Sequence, residues 1–225
     1  MKKRVLFCAL ALLAGPLLAG STGDDVANAV KKLGDIGDYT WHSTFTDPED
    51  QQSASTDGQT APDGFTYVNV SFGGNSSEFA TKDGIVAITD QTDSWQPLAL
   101  LDTHQEANRF MRSLVRNFKT PATQAATLAA AVAAFKKDGD VYSGDLTEDG
   151  ANALLTVEGR AATNSFGSVK FWITDGALTQ YEFKVKGAVN SGGADRYISR
   201  DATVEIKYVG TTKVTMPNEA RSLFP

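Results

Sequence analysis

The clearest alternation of apolar and polar positions lies in SVKFWITDGALTQYEFKVKG, residues 168–187. Two runs rich in aromatic and β-branched residues flank the turn signal Asp175-Gly176, a pattern that predicts a β-hairpin. A two-residue loop at Asp175-Gly176 would mix apolar and charged residues on both faces. A three-residue loop that adds Thr174 separates them, and we favour it because a one-residue slip exchanges the two faces of a strand. Its apolar face would contain Val169, Phe171, Ile173, Ala177, Thr179, Tyr181, Phe183 and Val185, and its other face Lys170, Trp172, Leu178, Gln180, Glu182, Lys184 and Lys186.

Period-two patterns predict further strands before and after this hairpin. Residues 39–45 alternate, with Tyr39, Trp41 and Phe45 on one side, and residues 65–90 contain three short strands of a meander. Near the C-terminus, a predicted strand over residues 201–210 places Ala202, Val204, Ile206 and Tyr208 on one face.

Two polar segments interrupt the predicted strands. Residues 46–64 are rich in turn formers, which predicts a long, mobile connection within one domain. Residues 187–196, GAVNSGGADR, are predicted to form a glycine-rich loop. If the protein binds a partner through loops or edge strands, residues 46–64 and 187–197 are the candidates.

Helical periodicity appears at both ends of the chain and in its middle. Thr103 and Glu106 form a capping-box pattern ahead of an amphipathic helix. Pro121 opens an alanine-rich helix. The predicted helices cover residues 24–33, 104–118 and 121–136, with a short one from Thr147 and a final turn after Pro217.

The order of these elements is helix, strands, helices, strands. It predicts one α+β domain over residues 21–225 with helices gathered on one face of an antiparallel sheet. A twisted sheet of eight to ten strands tends to curl, so its concave side must be covered. The helices at 104–118 and 121–136 are the natural cover.

Residues 1–20 have the features of a secretory signal peptide. Lys2, Lys3 and Arg4 precede the apolar residues 5–19, and we expect cleavage between Ala19 and Ser21. The only cysteine, Cys8, lies in this segment, so the mature chain would contain no disulfide and no cysteine ligand. We expect an exported, soluble protein, most simply in a bacterial periplasm, without a stable membrane anchor.

The charge balance bears on the kind of partner. The chain has 21 basic and 27 acidic residues, a net charge of −6. Loss of residues 1–20 would remove three basic residues and no acidic one, leaving 18 against 27. This balance argues against binding nucleic acid or an anionic membrane surface.

The sequence lacks the common motifs of catalysis. Its two histidines, His42 and His104, fit solvated positions. The acidic stretch from Asp138 fails as an EF-hand, because Tyr142 and Ser143 stand where an oxygen ligand and glycine are required. We expect no enzymatic activity, no metal and no cofactor.

The aromatic sheet face and its helical cover form either a dry core or a pocket for a hydrophobic ligand. An empty pocket of about 300 Å³ would cost roughly 7 kcal/mol, so a real cavity should hold ligand or collapse when empty. The residues that would line it are Tyr39, Trp41, Phe45, Phe110, Met111, Leu114, Leu128, Val132, Phe171, Tyr181, Phe183 and Tyr208.

The strand YTWHSTF, the paired helices, the segment FWITDGALTQYEF and the ending VEIKYVGTTKVTMPNEA together resemble the LolA/LolB-like lipoprotein-carrier superfamily of the periplasm. This resemblance implies an incomplete antiparallel β-barrel whose concave face is closed by helices and holds acyl chains. The absence of a lipid-modified cysteine resembles the soluble carrier of that superfamily. The implied function is a non-enzymatic lipid-binding protein. The alternative is an interaction or sensor module with a solid core that binds an envelope protein.

Overall fold

The computed structural model describes residues 21–49, 52–90, 92–102, 104, 106–155, 162–191 and 194–225. The predicted signal peptide and the predicted cap Thr103 lie outside the described residues. The helices are α1 (Thr22–Ile36), α2 (Glu106–Asn117), α3 (Pro121–Ala130), α4 (Glu148–Leu155) and α5 (Asn218–Arg221). The strands are β1 (Tyr39–Asp47), β2 (Gln52–Thr60), β3 (Thr66–Phe72), β4 (Asn75–Lys82), β5 (Ile85–Thr89), β6 (Trp95–Pro97), β7 (Lys136–Asp138), β8 (Val141–Asp145), β9 (Thr163–Thr174), β10 (Ala177–Ser191) and β11 (Ala194–Lys207).

All eleven of these strands belong to one antiparallel sheet. Their order is β6-β5-β4-β3-β2-β1-β11-β10-β9-β8-β7, so β1 and β11 pair at the centre and join the two halves of the chain. The sheet is open, with β6 and β7 at its edges. The architecture is α+β with one large antiparallel sheet that does not close into a barrel, as the sequence predicts.

The β9–β10 hairpin has a two-residue loop, so the predicted three-residue loop is wrong. Thr174 pairs with Ala177, and Asp175 and Gly176 have φ values of 52° and 69°. Positive φ at both central residues is the signature of a type I′ turn, whose twist matches that of the flanking strands.

A β-bulge then restores the predicted aromatic face. The register shifts between Leu178 and Gln180, so that Tyr181 pairs with Phe171. Because the bulge adds a residue to β10, Leu178 and Thr179 lie on the opposite faces from those predicted for a regular strand. Leu178 is therefore buried, at 2% exposure, and Thr179 is exposed, the reverse of the prediction.

Most of residues 46–64 form β-structure, which contradicts the predicted mobile connection. β1 extends to Asp47, and β2 pairs with both β1 and β3. Gly58 of β2 lies opposite Trp41, and a Cβ atom at Gly58 would be 2.0 Å from Cζ2 of the indole. Because the Trp41 ring lies across β2, position 58 has room only for glycine. This glycine and the polar residues around it made the β2 sequence look like that of a loop.

The predicted glycine-rich loop at 187–196 is also mostly strand, because β10 continues to Ser191 and β11 starts at Ala194. The helix predicted to run to Lys136 ends at Ala130 instead. Beyond it, Val132 forms a β-bridge with Leu146, and Lys136 begins an edge strand. Packing of this segment against β8, where Gly144 leaves room for the Val132 side chain, overrides the helix propensity of its alanines.

Four helices cover the face of the sheet that carries Trp41. Their buried apolar residues belong to one core with the residues of that face. Phe118, just after α2, stacks on Trp41 at 6.2 Å and meets Phe79 edge-on at 5.1 Å, measured between ring centroids. Arg112 of α2 donates hydrogen bonds to the carbonyl oxygens of Leu98 and Leu101. The cover therefore includes α1 and α4 as well as the predicted mid-chain pair.

The fifth helix packs on the opposite face. Ala220 of α5 is fully buried in a small second cluster with Ala80 and Met216. Ala80 follows Phe79 in β4, so the two side chains point to opposite faces of the sheet. Within the described residues, no helix combines the length and apolar character needed to cross a membrane.

Candidate hydrophobic ligand site

The predicted aromatic face is present in the structure. Tyr39, Trp41, Phe171, Tyr181 and Phe183 are between 0 and 4% exposed on the covered face. Ring centroids are 5.9 Å apart for Tyr39 and Trp41 and 6.2 Å apart for Phe171 and Tyr181. Tyr39 and Trp41 are two residues apart on β1 and therefore share a face, whereas the register of β9 and β10 places Tyr181 opposite Phe171.

The other predicted lining residues are less uniform. Met111 and Leu128 are buried in the same core, and Phe45, Leu114 and Val132 pack against it while partly exposed. The Phe110 side chain lies outside the part of the chain that the structure describes.

Tyr208 does not belong to the aromatic face, which corrects the prediction. Ala202, Val204 and Ile206 point into the core as expected, but β11 ends at Lys207. Tyr208 has a φ of 53° and its side chain is 69% exposed. The strand alternation therefore stops one residue before the tyrosine.

Two tyrosine hydroxyls connect the aromatic face to α3. The Tyr39 hydroxyl accepts a hydrogen bond from the Ala122 backbone N–H at 3.2 Å, and the Tyr181 hydroxyl donates one to Oε1 of Gln124 at 2.7 Å. Burial is the main cause that raises the pKa of Tyr39 above its usual range, and burial raises the pKa of Tyr181 further. Both groups stay neutral at physiological pH and hold α3 on the sheet.

Side chains fill the space that the prediction gave to a ligand. Besides the Phe118 contacts, Phe135 meets Phe171 edge-on with ring centroids 5.9 Å apart. The predicted lining residues thus pack against one another and against the helices. In this conformation the region between sheet and helices is a core.

A groove of about 860 Å³ opens instead between α1 and α3. The two helices are antiparallel: a Cβ atom at Gly34 would be 4.0 Å from that of Ala122, and at the other end the Thr22 hydroxyl donates to the Phe135 carbonyl oxygen at 3.1 Å. Most of the lining side chains are small. They belong to Ser21, Thr22, Gly23, Ala27, Val30, Lys31, Gly34, Asp35, Ala122, Thr123, Ala126, Ala129, Ala130, Val132, Ala133, Ala134 and Phe135.

The groove is nearly uncharged. Among its described lining residues the ionisable groups are Lys31 and Asp35, which form an exposed ion pair one turn apart on α1. Such a pair contributes little to stability but leaves no net charge at the rim. The lining also includes Val30, Ala129 and Val132, so an apolar ligand would meet mostly hydrocarbon.

Sequence reasoning missed α1 as a wall of this site. Of the predicted lining residues, Val132 lines the groove, whereas Tyr39, Trp41, Phe171, Tyr181 and Phe183 are buried in the core. The available signal was the small residues Gly23, Ala27 and Gly34, whose spacing of four and seven puts them on one helical face. Small residues on one face of a helix do not by themselves indicate a binding site. The structure shows that these three face α3 across the groove.

Both histidines are accessible to solvent, since the His42 side chain is 44% exposed and His104 is exposed. Nδ1 of His42 is 2.7 Å from Oδ1 of Asp57 on the exposed face of the sheet. The residues that the structure describes contain no group of three His, Cys, Asp or Glu side chains arranged to hold a metal ion.

Comparison with known proteins yields remote structural similarity. No protein-family model and no curated protein matches the chain. It is similar to the crystal structure of LprF from Mycobacterium bovis, with 12% identity and a TM-score of 0.46 over 89% of this chain and 100% of that one.

Two further structures are similar at a lower level. MucB in complex with MucA(peri) has 8% identity and a TM-score of 0.21 over 84% of this chain and 95% of that one. A bifunctional dehydratase-cyclase domain in ambruticin biosynthesis has 10% identity and a TM-score of 0.19 over 89% and 82%. Because all three TM-scores are below 0.5, no statement about function rests on these similarities.

Proposed function

We propose that the protein is a non-enzymatic binding protein that holds a hydrophobic ligand, such as one acyl chain of a lipid or lipoprotein, in the groove between α1 and α3. The observation that carries this proposal is the groove itself, about 860 Å³ in volume and lined mainly by alanine, glycine and valine. Its volume is in the range of small-molecule sites, about 300–1,000 Å³. The proposed site lies between the helices and not on the sheet face that the sequence predicts, because aromatic rings already fill the space against that face.

The energetics of such a site suit an unbranched chain. Each buried CH₂ group contributes about 0.8 kcal/mol, so a long acyl chain needs no strong polar contact. The exposed Lys31–Asp35 ion pair carries no net charge. It therefore does not attract a charged headgroup into the groove, and the headgroup would stay in solvent. With the signal-peptide features of residues 1–20, this supports a carrier or receptor that works after export.

A protein-interaction module is less favoured. That alternative assigned binding to loops or edge strands, above all to residues 46–64 and 187–197. Most of the described residues in both segments are instead hydrogen-bonded in β2, β10 and β11, which lie inside the sheet.

The proposal is tested with purified chain 21–225, native mass spectrometry and a fluorescent fatty acid as the probe. Ala126→Trp places a large ring in the groove and should strongly reduce uptake. Thr127→Trp is the matched control, because Thr127 is the next residue of α3, is exposed and does not line the groove. Repeated absence of co-purified lipid and of fatty-acid uptake would reject the proposal. Equal uptake by the two variants would reject the α1–α3 groove as the site.

A further inference from the structure

We propose that the α1–α3 groove selects its ligand by length, and that the ligand it fits is a single unbranched acyl chain of about 14 carbons. This inference rests on the proposed function and adds the length of chain that the site selects. Its starting point is that the two helices meet at both ends of the groove.

Contacts between described residues mark these two ends. At one end the Thr22 hydroxyl donates to the Phe135 carbonyl oxygen at 3.1 Å. At the other end a Cβ atom at Gly34 would be 4.0 Å from Cβ of Ala122, so little more than a methyl group separates the helices there. All four residues line the groove. The groove therefore stops where the helices come together.

The width of the groove is that of one layer of side chains. Packed helices have axes about 8–10 Å apart, and larger side chains normally fill the space between them. Here Gly23, Ala27, Ala126 and Ala130 stand at such positions, so most of that layer is missing. A single methylene chain is as wide as an unbranched side chain and can take its place, whereas a fused-ring or double-chain ligand is wider.

The distance between the two ends follows from α1. Thr22 and Gly34 belong to the same continuous helix, and the twelve residue steps between them span about 18 Å at about 1.5 Å each. Carbon–carbon bonds of about 1.5 Å in a zigzag advance an extended chain by about 1.3 Å per carbon. About 14 carbons therefore fill the groove from end to end.

Affinity should then rise with chain length only as far as the groove extends. Each CH₂ group that leaves water strengthens binding by up to about fourfold. Carbons beyond either end remain in solvent and add nothing. The ion pair of Lys31 and Asp35 has no net charge, so attraction of the headgroup does not mask this dependence.

The test uses purified chain 21–225 and a series of saturated fatty acids from about 8 to about 20 carbons, which compete with the fluorescent fatty acid. Dissociation constants are referred to the concentration of free monomer. We expect affinity to increase with each added CH₂ up to about 14 carbons and to stay constant for longer chains.

Gly23→Leu moves one end of the groove inward. A Cβ atom at Gly23 would have Oγ of Ser21 as its nearest neighbour, at 3.7 Å, and leucine is a better helix former than glycine, so the variant should fold. The leucine side chain would fill about one helical turn of the groove, about 5 Å, and the increase in affinity should end about four carbons earlier. Asn28→Leu is the matched control, because Asn28 is an exposed residue of the same helix outside the described lining.

Two results would overturn the length selection: an affinity of the unmodified chain that still rises at about 20 carbons, or an increase that ends at the same length in Gly23→Leu and Asn28→Leu. In both cases the fatty acids are bound, so the proposed function would stand. If no member of the series is bound, the proposed function is rejected and the length selection with it.

Discussion

Gly58 shows how one residue permits the central packing of the sheet. The Trp41 indole occupies the space that a side chain at Gly58 would need: a Cβ atom there would be 2.0 Å from Cζ2 and 2.3 Å from Cε2 of the ring. Gly58→Ala should lower the free energy of unfolding by about 1–3 kcal/mol, because a buried ring at 4% exposure has little room to move. Urea unfolding followed by tryptophan fluorescence measures the change.

Gly34→Ala is the matched control for Gly58→Ala. In α1 the new Cβ would meet its nearest atom, Cβ of Ala122, at 4.0 Å, an ordinary contact. Alanine is a better helix former than glycine, so this variant should gain up to about 1 kcal/mol. A loss of similar size in both variants would show that the Trp41 contact is not the cause.

Tyr181 predicts how stability depends on alkaline pH. Burial raises the pKa of its phenol well above 10.0 in the folded protein, whereas the unfolded chain ionises near 10.0. Between those two values the unfolded state has lost a proton that the native state keeps, so stability falls as pH rises. Its contribution is complete below pH 10.0 and decreases by about 1.4 kcal/mol per pH unit above it.

Tyr181→Phe should reduce the slope of stability against pH above pH 10.0. Tyr197→Phe, which removes a hydroxyl from a side chain that is 73% exposed, is the matched substitution. Urea unfolding at several alkaline pH values measures the slope, and the same slope for both variants would contradict the assignment to Tyr181.

At the scale of elements, α1 depends on its N-terminal cap. The reciprocal bonds of Ser21 and Asp24 satisfy two backbone donors that a helix end leaves free. Ser21→Ala should cost about 1 kcal/mol and increase hydrogen exchange in the first turn of α1. Ser21→Asp should retain the wild-type protection, since aspartate caps helices about as well as serine does. Equal exchange in the two variants would argue that packing alone holds this turn.

The strand pattern was predictable where side chains alternate in size and polarity. Tyr39, Trp41, Phe171 and Tyr181 were all placed on the covered face from a period of two, and the structure has them there. The loop of the β9–β10 hairpin was not predictable, because two irregularities compensate each other. The type I′ turn sets one register and the bulge at Thr179 changes it, so a regular three-residue loop explains the aromatic face equally well.

Elements that depend on a distant partner were missed for a different reason. Strand β2 has a polar sequence and a glycine, because its neighbour β1 supplies the large ring at that level. The end of α3 depends on contacts with β8 and the residue that follows it: Val132 forms a bridge with Leu146, and its side chain packs over Gly144 of β8. The groove depends on two helices separated by 84 residues. None of these features leaves a local periodicity that a single sequence can reveal.

At the scale of the whole molecule, the sheet separates two cores. The large one lies under α1 to α4, and the small one lies under α5 on the other face. Ala125 of α3 and Ala220 of α5 are both fully buried, one in each core. The same substitution at these two positions therefore tests whether binding depends on one face only.

Ala125→Leu and Ala220→Leu should each lower the free energy of unfolding by about 1–3 kcal/mol, because both overpack a filled site. Ala125→Leu should also weaken fatty-acid uptake, since the added atoms displace α3 and alter the wall formed by its neighbour Ala126. Ala220→Leu should leave uptake unchanged at a temperature where both variants are folded, because α5 lies across the sheet from the groove. Thermal unfolding and titration with the fluorescent fatty acid supply the two measurements. Equal losses of affinity would mean that uptake follows global stability, and they would remove the reason to place the ligand between α1 and α3.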